Sequence, residues 1–142
     1  MNVKQISVFV ENKPGKILEV TKVLAEENID MRALSIGETS DYGILRIIVS
    51  DTDRAAEALK AAGNVIAVTP VVAIEVPDEP GSLQHVLTIL ADAGISIEYT
   101  YAFLMNRDNS ACLVLRVDDA EETTQLLKSN GIEILTAEIF AK

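Results

Sequence analysis

Two short runs carry the residue types with which a small protein can grip an anion. Glu11-Asn12-Lys13-Pro14-Gly15-Lys16 and Pro77-Asp78-Glu79-Pro80-Gly81-Ser82 each place Pro-Gly directly ahead of a helical pattern. A helix that starts there presents backbone N–H groups without intrahelical partners and the positive end of its dipole, and glycine, having no Cβ, lets a ligand come close. This predicts carboxylate binding at Pro14, Gly15 and Lys16 in one run and at Pro80, Gly81 and Ser82 in the other. Proline at the first helical position is also an ordinary way to begin a helix, so the runs alone do not separate a ligand site from a plain turn. Their preferences should differ, because Asn12 is neutral and flanked by Lys13 and Lys16 whereas Asp78 and Glu79 are acidic.

Other chemistries find no constellation. His85 is the single histidine, on a helix flank beside Val86 and Leu87, so a histidine-based metal site or catalytic dyad lacks its second member. It lies one turn after Gly81, which leaves a place at a pocket mouth open. Cys112, flanked by Leu113, Val114 and Leu115, reads as a small buried hydrophobe rather than a nucleophile. Asp118, Asp119, Glu121 and Glu122 stand where a helix N-terminus favours negative charge. No glycine-rich phosphate loop and no basic aromatic patch occurs. The expectation is a chain that is not an enzyme and needs no cofactor and no metal.

Composition narrows the partners. With 49% hydrophobic and 24% charged residues over 142 positions, the chain has the balance of a folded globular protein. Its net charge of −10 opposes phosphate backbones and anionic lipid, so neither nucleic acid nor membrane is an expected partner. The acidity is uneven: residues 1–70 carry 8 basic and 10 acidic groups, residues 71–142 carry 4 and 12. A lone cysteine rules out an internal disulfide, and Met1 to Ile6 looks like a strand rather than a signal peptide, so a cytoplasmic protein is expected.

The elements that must position the two turns are themselves repeated. Ile6, Val8 and Val10 alternate ahead of Pro14, and 66 residues on Val72, Ile74 and Val76 alternate ahead of Pro80. Ile17, Val20, Thr21 and Leu24 recur as Leu83, Val86, Leu87 and Leu90 at helical spacing. Asn28 and Gly94, residue types that tolerate a left-handed helix end, stop these helices before strands from Ile29 and Ile95. From Ala58–Gly63 and Leu126–Gly131 the offset is 68, so two residues were gained, with the hairpin Met105–Ser110 as the place that tolerates insertion. A third strand, a helix capped by Asp51 or Asp53 (Asp118 or Asp119) and a final apolar segment complete each copy. The order strand, helix, strand, strand, helix, strand defines an α+β class, two ferredoxin-like βαββαβ units with antiparallel sheets, at 1–70 and 71–142. Val65 to Val72 joins them with only Pro70 as punctuation, so the copies should pack together. Open sheet edges and the apolar run Ile44 to Val49 call for more cover than one chain offers, which predicts a homodimer.

A strand ending in Asn-x-Pro-Gly or Asp-x-Pro-Gly, an amphipathic helix, then Asn28-Ile29-Asp30-Met31 or Gly94-Ile95-Ser96-Ile97 into a strand, resembles the ACT domain, twice over nearly the whole length. The resemblance implies a stand-alone regulatory protein that holds a free amino acid at the interface between ACT copies and modulates a separate enzyme of amino-acid metabolism. On that view Asn12 or Asp78, with Asp30 or Ser96 beside Ile29 or Ile95, would accept from the ligand's ammonium group, the turn of one copy facing the strand start of the other. Tyr99, Tyr101 and Phe103 share a strand face where the first copy has Ala33, Ser35 and Gly37. Phe103 reads as filling, while Tyr99 and Tyr101 are open between filling and a pocket wall, and Tyr101 is counted among the ligand candidates. The alternative is a partner-binding or oligomerisation module that holds no ligand.

Overall fold

The computed structural model describes residues 2–38, 41–103 and 109–141. β1 (Val3–Glu11), α1 (Lys16–Glu26), β2 (Met31–Glu38), β3 (Tyr42–Val49) and α2 (Thr52–Ala61) lead into β4 (Val65–Pro77). α3 (Ser82–Asp92), β5 (Ile97–Ala102), β6 (Ser110–Val117), α4 (Ala120–Ser129) and β7 (Glu133–Leu135) follow, then a 3-10 turn at Ala137–Ile139. The chain divides into two compact units. The first comprises Lys4–Thr69 with Glu138–Lys142, the second Met1–Val3 with Pro70–Ala137.

In the first unit β2 pairs antiparallel with β3 and β3 with β1, while β4 neighbours β1. In the second, β5 pairs with β6, β6 with β4, and β4 with the short β7. Each is therefore an α+β, ferredoxin-like βαββαβ unit. β4 serves both, running through Pro70 as one strand of 13 residues.

Period-2 alternation puts Ile6, Val8 and Val10 on the helix-covered face of β1, where Ile6 stands opposite Ile47 and Val8 opposite Leu45. Val20 and Leu24, one turn apart on α1, close over them with Ala55 and Leu59 of α2. The second core repeats this with Val72, Ile74 and Val76 under Val86, Leu90 and Leu127. Full burial of side chains such as Leu24 or Leu90 contributes about 1.5–3 kcal/mol each relative to exposure. The helical stripes are narrower than their spacing predicts: Leu83 and Leu87 of α3 stay partly exposed.

The opposite faces of the sheets are covered too. Gln5, Ile48, Ala73 and Val114 are buried, and Gln5 meets its polar needs in part by donating from Nε2 to Ser7 Oγ at 3.0 Å. Ile48 and its β3 neighbours are thus buried within one chain, and that strand does not call for a second copy.

Helix ends follow local rules. Asn28 (φ 56°) and Gly94 (φ 73°) occupy the left-handed position expected of them. The N–H of Ile29 bonds to the Leu24 carbonyl and that of Asn28 to Ala25, and the same two bonds recur from Ile95 to Leu90 and from Gly94 to Ala91. These are Schellman motifs. Asp51 and Asp119 are the N-caps, accepting from the N–H groups of Arg54 at 3.2 Å and Glu122 at 3.0 Å. Asp51→Ala and Asp119→Ala should each cost about 1 kcal/mol by denaturant titration, and Asp53→Ala and Asp118→Ala much less, because only the former satisfy an orphan amide.

Between Gly37 and Phe103 the offset is 66; between Asp41 and Asn109, whose carbonyls accept from Asn12 and Asp78, it is 68. The two extra residues therefore fall in the hairpin, whose tip lies outside the described residues.

Candidate functional site

The Pro-Gly runs are turns of one kind. The Lys13 carbonyl accepts from the Lys16 N–H at 3.3 Å, and Gly15 between them has φ 86° and ψ −5°. The Glu79 carbonyl accepts from Ser82 at the same distance, with Gly81 at φ 91° and ψ −7°. Proline at the second position and a left-handed glycine at the third define a type II β-turn. The helices accordingly begin one residue after the glycine, at Lys16 and Ser82. Proline is not their first residue, so the ordinary proline-first helix start is not the one used here. A helix N-cap normally has extended backbone and a capping side chain. Gly15 and Gly81 have neither, and no side chain caps α1 or α3. The amides of Ile17, Leu18, Leu83 and Gln84 thus lack both intrahelical acceptors and a side-chain cap. A Cβ built on either glycine meets no atom of a residue beyond its chain neighbours within 4 Å, so the space at each glycine is open.

The two turns differ electrostatically. In the first unit Lys13 pairs with Glu11 at 2.9 Å and Lys16 with Glu19 at 3.6 Å. The hydrogen bond and charge of Lys13, with the charge of Lys16, hold the Glu11 carboxyl below its ordinary value, while Glu11 raises the Lys13 ammonium. The pair's small contribution is therefore present at neutral pH and fades as pH falls through the lowered Glu11 value. In the second unit Pro80, Gly81 and Ser82 open into a cavity of about 410 Å³ whose walls include Glu75, Glu79, Glu133 and His85. The Glu75 carboxylate is itself held by the Ser110 hydroxyl, which donates to Oε1 at 3.2 Å, and its Oε2 is buried. Asp78 is not among the lining residues. The sequence reading missed Glu75 and Glu133, since nothing in their spacing ties β4 and β7 to the turn until the Ala73–Leu135 ladder is known.

The strand starts lie elsewhere. Ile95 and Ser96 line a second cavity of about 440 Å³ with Gly94, Glu98, Asp118 and Asp119. It adjoins the C-terminal end of α3 whereas the turn adjoins the N-terminal end, and 11 helical residues span about 16 Å. Turn and strand start of one unit thus do not share a cavity. Ile29 is a buried core residue and Ile95 packs on the second core, both as the apolar residues that close the Schellman motifs. Asp30 is exposed and pairs with Arg32 at 3.0 Å, and its N–H donates to Ser50 Oγ. Asn12 is exposed and donates its N–H to the Asp41 carbonyl. Tyr101 stacks on Tyr99 with ring centroids 6.3 Å apart. Cys112 is buried in β6 opposite Glu75. Among the described residues no group of three or more metal-ligating side chains is placed to hold an ion, and no helix is long and apolar enough to cross a membrane.

Residues 1–142 match the family described as an ACT domain pair. A crystal structure of a protein from Bacteroides thetaiotaomicron is 43% identical, superposes with a TM-score of 0.93, and is matched over 100% of this chain and 97% of that one. The ligand-free regulatory subunit of aspartate kinase from Thermus thermophilus shares the fold at 17% identity and TM-score 0.66, over 90% of this chain and 91% of that one. The corresponding subunit from Thermus flavus gives 17% and 0.63, over 91% and 92%. No curated protein sequence matches the chain. The chain belongs to the ACT domain pair family, and its fold is that of the two Thermus regulatory subunits.

Proposed function

We propose that this ACT domain pair is an amino-acid-binding regulatory protein, acting in the cytoplasm as a homodimer on a separate enzyme of amino-acid metabolism and performing no catalysis itself. The observation that carries this is the uncapped, left-handed-glycine helix start, present twice and opening in the second unit into a cavity of amino-acid size. Amides beside Gly81 suit the ligand's carboxylate. Glu79 and Glu133 in the same walls suit its ammonium group, a role the sequence reading gave to Asn12 or Asp78 with Asp30 or Ser96. Since turn and strand start of one unit are apart, a site using both draws them from different copies. The Thermus aspartate kinase regulatory subunits make an amino-acid-pathway enzyme the natural target class. Ligand would act by binding one arrangement of copies better than another, the only way binding energy shifts such an equilibrium.

The test is thermal unfolding by calorimetry against each common amino acid at millimolar concentration. A ligand at about 100 times its dissociation constant stabilises the native state by about 2.7 kcal/mol, which raises the midpoint by several degrees. A rise with one or two amino acids is the expected result; a flat response to all of them would leave the partner-binding module as the reading.

A further inference from the structure

We infer that the second unit carries a further binding site, for a short α-keto acid, where the end of β7 and the helix α4 meet the middle of β4. A cavity of about 180 Å³ lies there, with Asn2, Thr124, Gln125, Lys128 and Thr136 around buried apolar residues of β4 and β7. All of its walls belong to the second compact unit. It shares no lining residue with the turn cavity, so it stands or falls apart from the amino-acid reading.

The way the second copy ends makes this space. β7 pairs with β4 only as far as Leu135 opposite Ala73, and the chain then leaves the strand for the 3-10 turn at Ala137–Ile139. The equivalent of Leu135 in the first copy is Ala67, and there the strand runs on without a break through Pro77 as β4. The gap beside Val71 and Val72 follows from β7 stopping short. The helix over it differs as well. Thr124, four residues before Lys128, and Gln125, three before it, share one face of α4 with the lysine. The first copy has Ala56, Glu57 and Lys60 at these places. Where one helix sets a carboxylate and a methyl group beside its lysine, the other sets a neutral amide and a hydroxyl.

The lining selects the ligand. Among the described residues Lys128 makes no ion pair, and no carboxylate lines this cavity, whereas Glu75, Glu79 and Glu133 line the turn cavity. A lysine in the last turn of a helix also suits the dipole, as Lys60 does in α2; what sets Lys128 apart is the carboxylate-free cavity it lines. One ammonium group matches one negative charge, and a phosphate dianion would bring an unmatched charge to a half of the chain with 4 basic and 12 acidic groups. The amides of Asn2 and Gln125 and the hydroxyls of Thr124 and Thr136 are further donors, more than a single carboxylate uses, which suits a second acceptor oxygen beside it. An amino acid would bring an ammonium group that finds no carboxylate here. An α-keto acid has the carboxylate, the added acceptor and no charged donor, and its apolar end fits against Val72 and Leu135. At about 30 Å³ per water the cavity equals about six waters, which limits the ligand to a few carbons. Asn2, Gln125, Lys128 and Thr136 are exposed, so binding should be weak, with a dissociation constant on the order of millimolar.

The experiment is titration of the isotope-labelled full chain with α-ketobutyrate, followed by two-dimensional amide NMR. Amides of residues 71–73, 124–128 and 134–136 should shift and saturate in the millimolar range. α-Aminobutyrate, with the same carbon skeleton, uncharged butyramide and inorganic phosphate should each act on these amides about tenfold more weakly or less. Lys128→Gln, at an exposed position, should weaken α-ketobutyrate by about tenfold, while Lys128→Arg should retain most of the affinity and Lys60→Gln all of it, with circular dichroism as the folding control. No saturable shift, or shifts confined to other residues, would overturn the site. Retained affinity in Lys128→Gln would equally overturn it. An equal response to phosphate would replace the α-keto acid by anions in general, and an equal response to α-aminobutyrate would overturn the selection against an ammonium group.

Discussion

Phe140→Ala should destabilise the protein by about 3–5 kcal/mol, the loss that truncating a fully buried aromatic side chain causes. Phe140 is 2% exposed, so truncation removes a full aromatic burial and leaves a void where the ring stood. The backbone around it is also held. Its carbonyl accepts from Arg32 Nε at 3.1 Å, and the same guanidinium reaches Asp30 at 3.0 Å, so the residue at the register shift of β2 holds the Phe140 backbone. Urea unfolding of Phe140→Ala against Ala141→Ser, an exposed neighbour, measures the difference. A loss under about 1 kcal/mol would mean that the ring is not held as described.

That contact also marks where sequence reading stopped. The repeat, both βαββαβ orders and the C-terminal ends of the helices were legible because each rests on local rules: alternation in β1, the Val20/Leu24 and Val86/Leu90 stripes, Asn28 and Gly94 at left-handed ends. The chain from Ala137 onward carries no period, so its return to the first unit depended on Arg32, over 100 residues away. The turns were visible as Pro-Gly, but their form was not. A proline-first helix and a type II turn share the same dipeptide, and only the left-handed φ of Gly15 and Gly81 separates them. Ile29 and Ile95 entered with the strand starts that resemble the ACT domain; that their N–H groups also close the Schellman motifs of α1 and α3 was not visible until the helix ends were known. Exposure misled in the other direction at β3, where Ile48 is already covered within one chain while the β4 stretch around Val65 and Val68 is not.

Gly81→Val should weaken binding of the amino acid that stabilises wild type by at least about tenfold while leaving the protein folded, and Gly15→Val should leave that binding unchanged if the cavity of the second unit is the one filled. The physical terms separate cleanly here. At φ 91° a β-branched residue is a conformational outlier costing about 1–2 kcal/mol, well short of unfolding a domain. A Cβ at this position meets no protein atom within 4 Å, so the added bulk stands in open space at a residue that lines the cavity, where it would compete with a ligand. Gly81→Asn supplies the control on strain: asparagine tolerates left-handed backbone, so this variant should recover most of the lost stability but little of the lost affinity. Glu133→Gln, in the cavity wall, should weaken binding as well, and Asp78→Ala, outside it, should not. Recovery of affinity with Gly81→Asn would show that valine had acted by distorting the turn, and the amides beside Gly81 would then lose their place in the site.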